Sequence, residues 1–154
     1  MKPGDQVPDF EAFDQTGATV HLADLTADGP VVLFFYPRAM TRGCTAESRH
    51  FRDLAAELRA VGARAVGISA DSVERQARFD EQSSLGLPLL SDPDRRIAAA
   101  FGVKRPGPLL NRRMTFVIGP DRRLVEAIRS EISMDRHADR ALEVLRGRPA
   151  GDAG

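Results

Sequence analysis

The sequence predicts an α/β domain in which a central mixed sheet is covered by helices on both faces. Residues Val31–Tyr36 form a run of β-branched and aromatic residues between two prolines, which is typical of a strand buried on both faces. From Cys44 to Val61 the apolar residues recur at helical spacing, and Ala63–Ser69 again has the pattern of a short inner strand. A strand, a helix and a strand in this order predict a parallel crossover, which places helices against the sheet.

Length, charge and cysteine content restrict the function classes. The chain has 154 residues, enough for one domain, which we expect over residues 1–147 with a flexible tail over 148–154. Because 22 basic residues balance 22 acidic ones, we expect no nucleic acid and no anionic membrane as a partner. One cysteine excludes an intramolecular disulfide, and the charged N-terminus lacks the apolar region of a signal peptide, so we expect a cytoplasmic protein.

The remaining elements follow from turn and capping patterns. Phe10–Val20 contains a turn sequence between short apolar stretches and predicts an N-terminal hairpin. Asp71 with Glu74 resembles a capping box and predicts that a helix begins there. Further along we expect a turn over Pro88–Pro93, a short helix over Asp94–Phe101, antiparallel strands over Met114–Ile118 and Leu124–Ile128, and a final helix over roughly Asp135–Arg146.

The single cysteine lies where an α/β fold concentrates its chemistry. Cys44 falls between the carboxyl end of the buried strand and the beginning of the amphipathic helix. The first turn of a helix carries unpaired N–H groups and a partial positive charge, which stabilise a thiolate. The alternative is a small buried apolar residue, a common fate of a free cysteine.

The residues around this cysteine form a specific motif. Pro37, Thr41 and Cys44 have the spacing P-x-x-x-T-x-x-C, which resembles the active-site motif of the peroxiredoxins. The chain is most similar to the Q type, the bacterioferritin comigratory protein subgroup. The resemblance extends along nearly the whole chain, through Pro3–Phe10, Phe34–Pro37, Gly43–Glu47, Pro88–Asp92, Phe101–Val103 and Arg113–Ile118.

This resemblance implies a thioredoxin-like fold and an enzyme, a thiol-dependent peroxidase that reduces hydrogen peroxide and organic hydroperoxides. Cys44 would attack the O–O bond and become a sulfenic acid, and Thr41 and the N–H groups at Gly43 and Cys44 would orient the peroxide. Arg113 would stabilise the thiolate and bind the peroxide oxygens. Pro37 would shield the sulfur, and Glu47 would hold Arg113 in place.

Each of these residues also has an ordinary structural interpretation. Thr41 can cap a helix, Arg113 can be a solvated strand residue, and Glu47 can complement a helix dipole. Arg112 competes for the arginine role, but consecutive strand residues point to opposite faces and Arg113 matches the motif. The three histidines show no ligand spacing, so we expect neither a metal nor a cofactor.

The chain departs from the Q-type pattern at one position. Many Q-type members carry a resolving cysteine five residues after the reactive one, and this chain has Arg49 there. The resemblance then implies a one-cysteine peroxidase whose sulfenic acid at Cys44 is reduced by an external thiol or a redoxin. We expect a monomer or a weak homodimer. A non-enzymatic peroxide sensor or a thioredoxin-like binding module is the alternative, and turnover distinguishes them.

Overall fold

A mixed sheet with helices on both faces forms the protein in the computed structural model, which describes residues 1–129 and 135–147. The strands are β1 (Glu11–Phe13), β2 (Thr19–His21), β3 (Val31–Phe35), β4 (Arg64–Ser69), β5 (Leu89–Ser91), β6 (Met114–Ile118) and β7 (Leu124–Arg129). The helices are α1 (Leu22–Thr26), α2 (Arg42–Asp53), α3 (Ala55–Ala60), α4 (Val73–Ser83), α5 (Arg96–Ala100) and α6 (Asp135–Arg146).

The described residues form a seven-stranded sheet in the order β2-β1-β5-β4-β3-β6-β7. β3 is parallel to β4 and antiparallel to β6, and β6 and β7 form the predicted antiparallel pair. The predicted N-terminal hairpin is also confirmed, and it joins the sheet because β1 pairs with β5 at Phe13 and Ser91. The predicted mixed sheet is therefore confirmed, with β3 near its centre.

The side chains of β3 alternate between two apolar cores, one on each face of the sheet. Val32, Phe34 and Tyr36 belong to a core shared with α2, α3, α4 and α6. The residues between them, Val31, Leu33 and Phe35, belong to a second core shared with α1 and α5. This explains the unbroken apolar run of the strand, because a two-residue period places every position in one core or the other.

Aromatic packing fixes α2 on the first of these faces. The ring of Phe51 stacks on the ring of Phe34 with 4.2 Å between centroids and 12° between planes. A Cβ atom at Gly67 of β4 would lie only 2.9 Å from the Phe34 ring and 3.0 Å from the Tyr36 ring. The absence of a side chain at Gly67 therefore leaves room for the rings of Phe34 and Tyr36.

Two helix predictions are corrected by the structure. The single helix expected from Cys44 to Val61 is two helices, because the chain turns at Leu54 between α2 and α3. The expected capping box is also shifted by one residue. Ser72 caps α4 through its side chain, which accepts a hydrogen bond from the Arg75 N–H. The Asp71 carboxylate instead accepts hydrogen bonds from the Ala39 N–H and from Arg75 Nε.

The segment expected to be a turn at Pro88–Pro93 contains strand β5, and α5 occupies the middle of the helix expected over Asp94–Phe101. Helix α1 was not expected from the sequence. The helix expected over Asp135–Arg146 is confirmed. The tail expected over 148–154 lies outside the described residues.

Candidate active site

Cys44 lies in the first turn of α2, directly behind the loop that leaves β3. Thr41 is the N-cap residue, so Cys44 is the third residue of the helix. That turn contains no acidic residue, so no carboxylate there competes with a thiolate for the positive end of the helix. Cys44 is 1% exposed and belongs to the same buried core as Tyr36 and Ala39.

Strand register brings Arg113 to this sulfur. β6 runs antiparallel to β3, and Met114 at its beginning pairs with Phe35 at the end of β3. Arg113 therefore enters the sheet at the edge where the chain leaves β3 for Cys44. Its Nη2 donates a hydrogen bond to Cys44 Sγ at 3.3 Å.

Side-chain alternation explains why Arg113 and not Arg112 reaches the site. Val117 packs in the core beneath α2, and Arg113, an even number of residues before it, faces the same side of the sheet. Met114 packs against the opposite core, and Arg112 shares its parity. The register thus directs Arg113 toward α2, as the sequence interpretation assumed.

Glu47 holds the other side of the same guanidinium. Arg113 Nη1 donates to Glu47 Oε1 at 2.8 Å, and the two side chains are 8% and 0% exposed. Burial alone would lower the pKa of Arg113, but the charges of Glu47 and Cys44 outweigh burial and raise that pKa. The Arg113 charge is therefore permanent at physiological pH, within hydrogen-bonding distance of sulfur.

The sequence interpretation missed a residue behind Glu47. His137 of α6 is fully buried, and its Nδ1 lies 3.7 Å from Glu47 Oε2 and 2.8 Å from Thr115 Oγ1. Thr115 has the parity of Arg113 on β6 and therefore faces the same side of the sheet. The one signal in the sequence was a lone histidine among the apolar positions of α6, which does not reveal its neighbour in space.

The remaining predicted residues lie in the loop that follows β3 and in the first turn of α2. Pro37 and Gly43 are half-buried, and Thr41 is exposed. The Thr41 hydroxyl makes no cap hydrogen bond to α2 but donates to the carbonyl of Arg38 at 2.8 Å. The ordinary explanation of Thr41 as a side-chain cap therefore fails, and Cys44, Arg113 and Glu47 are the predicted residues in direct contact.

The other two histidines lie next to carboxylates. His50, on the same helix as Cys44, has its Nε2 atom 2.7 Å from Asp139 Oδ1 of α6, and His21 lies near Glu11 on the hairpin. Within residues 1–129 and 135–147, no group of three or more metal-binding side chains comes together. No helix in that part of the chain is long and apolar enough to cross a bilayer.

Comparison with known proteins finds a matching family and similar proteins over most of the chain. The AhpC/TSA family model matches residues 3–127. A peroxiredoxin of Mycobacterium tuberculosis is 55% identical over 154 residues, covering 98% of this chain and all of that protein.

Two solved structures are similar over nearly their whole length. The crystal structure of peroxidoxin BcpB from Mycobacterium tuberculosis has a TM-score of 0.94 and 54% identity, covering 97% of this chain and 99% of that one. A bacterioferritin comigratory protein of Xanthomonas campestris, studied for its alkyl peroxide reduction activity, has a TM-score of 0.83 and 29% identity, with 95% of both chains covered.

Proposed function

This chain belongs to the AhpC/TSA family as a peroxiredoxin of the Bcp, or Q, type, and we propose that it works through a one-cysteine cycle at Cys44. Peroxiredoxins are thiol-dependent peroxidases, and this chain is one of them. The observation that supports Cys44 as the reactive residue is its hydrogen bond from the buried Arg113 guanidinium, at 3.3 Å from sulfur. It is also the only cysteine in the sequence.

Arg113 and the first turn of α2 place positive charge next to the Cys44 sulfur, where the proposed reaction needs it. The guanidinium is charged, and Glu47 fixes its plane by accepting from Nη1 while Nη2 donates to sulfur. A planar fork can serve a carboxylate and a sulfur at once, which a lysine ammonium cannot do with the same geometry. The N–H groups of the first helical turn, in which Cys44 lies, add a partial positive charge.

The first step transfers one oxygen atom to sulfur. The Cys44 thiolate attacks the terminal oxygen of the peroxide, an S–O bond forms and the O–O bond breaks. Sulfur is oxidised by two electrons, and the leaving oxygen takes up a proton and departs as water or an alcohol. Thr41, Arg113 and the N–H groups at Gly43 and Cys44 would hold the peroxide oxygens as charge develops on them, and Pro37 would limit access of water.

The second step requires a thiol from outside the chain. Arg49 stands where many Q-type members have a resolving cysteine, and the chain has no other cysteine. An external thiol, from a small molecule or a redoxin, attacks the sulfenic sulfur and releases water, which leaves a mixed disulfide. A second thiol then releases the disulfide product and restores Cys44.

The proposed cycle also has consequences for the cellular compartment and the oligomeric state of the protein. Because regeneration consumes thiols, the proposal places the protein in a reducing compartment such as the cytoplasm. Cys44, Arg113 and Glu47 all come from one chain, so the proposal requires no second copy and is compatible with a monomer or a weak homodimer. Hydrogen peroxide and organic hydroperoxides are the proposed substrates, in line with the alkyl peroxide reduction studied in the Xanthomonas protein.

Intact-protein mass spectrometry tests the proposal. One equivalent of peroxide should add the mass of one oxygen atom to the wild-type chain, and a small thiol should convert that species to a mixed disulfide and then to the starting mass. The Cys44→Ser variant should show neither change. An oxygen added to Cys44→Ser at the wild-type rate would contradict the assignment of Cys44.

A further inference from the structure

The loop between β3 and α2, residues 36–41, is held at Ala39 by two side chains. The Ala39 N–H donates to Asp71 Oδ2 at 2.7 Å, and the Ala39 carbonyl accepts from Arg75 Nη2 at 3.3 Å. Arg75 Nε also donates to Asp71 Oδ1 at 2.8 Å. Both backbone polar groups of Ala39 are thus bound by one ion pair.

The ion pair is itself fixed to the central sheet. Ser69, the last residue of β4, donates from its hydroxyl to Asp71 Oδ2 at 2.6 Å and accepts from the Asp71 N–H at 3.2 Å. Asp71 is only 9% exposed, and a buried carboxylate with these donors keeps one orientation. The contacts that hold Ala39 are therefore anchored to the end of the buried strand β4.

A second contact from α4 fixes the beginning of the loop. The buried Tyr36 hydroxyl donates to Gln76 Oε1, and Gln76 Nε2 donates to Ser69 Oγ at 3.0 Å and to the Leu90 carbonyl at 2.8 Å. Burial raises the pKa of Tyr36 well above its usual value, so the hydroxyl stays protonated and remains a donor. Neighbouring residues Arg75 and Gln76 thus hold Ala39 and Tyr36.

The loop needs such support because its backbone conformation is unfavourable. Met40, the residue after Ala39, has φ +65°, in the left-handed region that is unfavourable for a non-glycine residue. Thr41 follows immediately, and its hydroxyl reaches back to the Arg38 carbonyl. The position of the Thr41 side chain thus depends on the conformation of Ala39 and Met40.

We propose that Asp71 and Arg75 are positioning residues that hold the active-site loop, and Thr41 with it, in the geometry that receives peroxide. The inference rests on the proposed function of Cys44 and deepens it. It separates two supports of the site: α4 holds the loop through Ala39, whereas Glu47 of α2 holds Arg113.

This separation has a measurable consequence, because two reactions of Cys44 need different parts of the site. Reaction with peroxide needs the thiolate together with the groups that align the peroxide, including Thr41. Alkylation by iodoacetamide needs the thiolate and access to it, but no peroxide alignment. Loosening the loop should therefore slow the first reaction and not the second.

The test compares Arg75→Ala with Arg78→Ala, an exposed arginine one turn further along the same helix. Rate constants for hydrogen peroxide and for iodoacetamide are measured for both variants and for the wild type. We expect Arg75→Ala to lose about tenfold or more of its peroxide rate constant, the effect of displacing an aligning group by a fraction of an ångström. Its alkylation rate should hold or rise, and Arg78→Ala should match the wild type in both reactions.

Two further variants sharpen the result. Arg75→Lys keeps the charge but cannot reach Asp71 and the Ala39 carbonyl together, so its peroxide rate should fall between those of the wild type and Arg75→Ala. Asp71→Asn should also lose peroxide reactivity selectively. Should Asp71→Asn fail to fold, the Arg75 series still decides, because Arg75 is 35% exposed and its replacement is expected to disturb folding less than that of the buried Asp71.

The inference is overturned if Arg75→Ala reacts with peroxide at the wild-type rate, or if its peroxide and alkylation rates fall by the same factor, as a general loss of structure would cause. A wild-type chain that is alkylated but does not react with peroxide would instead overturn the proposed function, and the inference with it. The two failures are therefore distinguishable in one data set.

Discussion

Arg113 Nη2 lies 3.3 Å from Cys44 Sγ, although 69 positions separate the two residues in the chain. The contact exists because β3 and β6 are antiparallel neighbours and because Arg113 precedes β6 by one residue. On the far side of the guanidinium, Glu47 lies one helical turn after Cys44 in α2 and accepts from Nη1 at 2.8 Å. The buried Arg113 thus links the Cys44 thiol to the carboxylate of Glu47, and both of these residues lie in α2.

Replacing Arg113 should slow reaction with peroxide far more than replacing Arg112. Arg113→Ala removes a charged donor at the reacting atoms, and we expect a loss of about 100-fold in the second-order rate constant. Arg113→Lys should also be impaired, because an ammonium cannot bind sulfur and carboxylate in the same plane. Stopped-flow measurement with hydrogen peroxide checks this, with Arg112→Ala as the matched control. A larger loss for Arg112→Ala would mean that the register of β6 is wrong.

Glu47→Gln should slow both peroxide reduction and alkylation of Cys44. The carboxylate supports the Arg113 charge and fixes its orientation, and a neutral amide accepts a weaker hydrogen bond from the same donor. Measuring the two rate constants side by side checks the expectation. If only the peroxide reaction slowed, Glu47 would belong with the loop support at Ala39 and not with Arg113.

Excess peroxide should inactivate the wild-type chain by overoxidation. No second thiol exists in the sequence to trap the sulfenic acid as an intramolecular disulfide. A titration followed by mass spectrometry should show one added oxygen atom and then two, with the second suppressed by added thiol. Rapid, stoichiometric dimerisation on non-reducing gels would instead indicate a cycle between Cys44 residues of two chains.

Arg49→Cys should restore a resolving cysteine only through unwinding of α2. Arg49 is exposed on that helix, five residues after Cys44. In a regular helix, Cα atoms at this separation are roughly 8.7 Å apart, and a disulfide requires less than about 7 Å. We expect peroxide to yield an intramolecular disulfide in this variant, together with faster amide exchange in α2. A disulfide that left exchange in α2 unchanged would contradict this geometry.

The sequence alone was enough to predict the features that follow from side-chain periodicity and from the local chemistry around Cys44. The apolar run of β3 predicted its double burial, and the rule that neighbouring strand residues face opposite sides correctly favoured Arg113 over Arg112 as the residue that reaches the Cys44 side. The motif around Cys44 lies, as expected, between the end of β3 and the first turn of α2.

Features that depend on tertiary packing were not predictable in the same way. The break at Leu54 interrupts an apolar pattern that runs on as if one helix continued. Asp71 has the sequence signature of a cap, but its carboxylate is taken by Ala39 and Arg75, and Ser72 caps the helix. His137 reaches Glu47 only because α6 packs over β6, which no local pattern records.

The central claim is that Cys44 reduces peroxide repeatedly at the expense of an external thiol. The most direct measurement is the number of peroxide molecules consumed per chain when a reducing thiol is in excess, for the wild type and for Cys44→Ser. The account predicts that the wild-type chain consumes many equivalents and that Cys44→Ser adds nothing to the background reaction of the thiol. A wild-type chain that stopped after one equivalent in the presence of each class of thiol, small molecule and redoxin, would contradict a catalytic cycle and indicate a sensor.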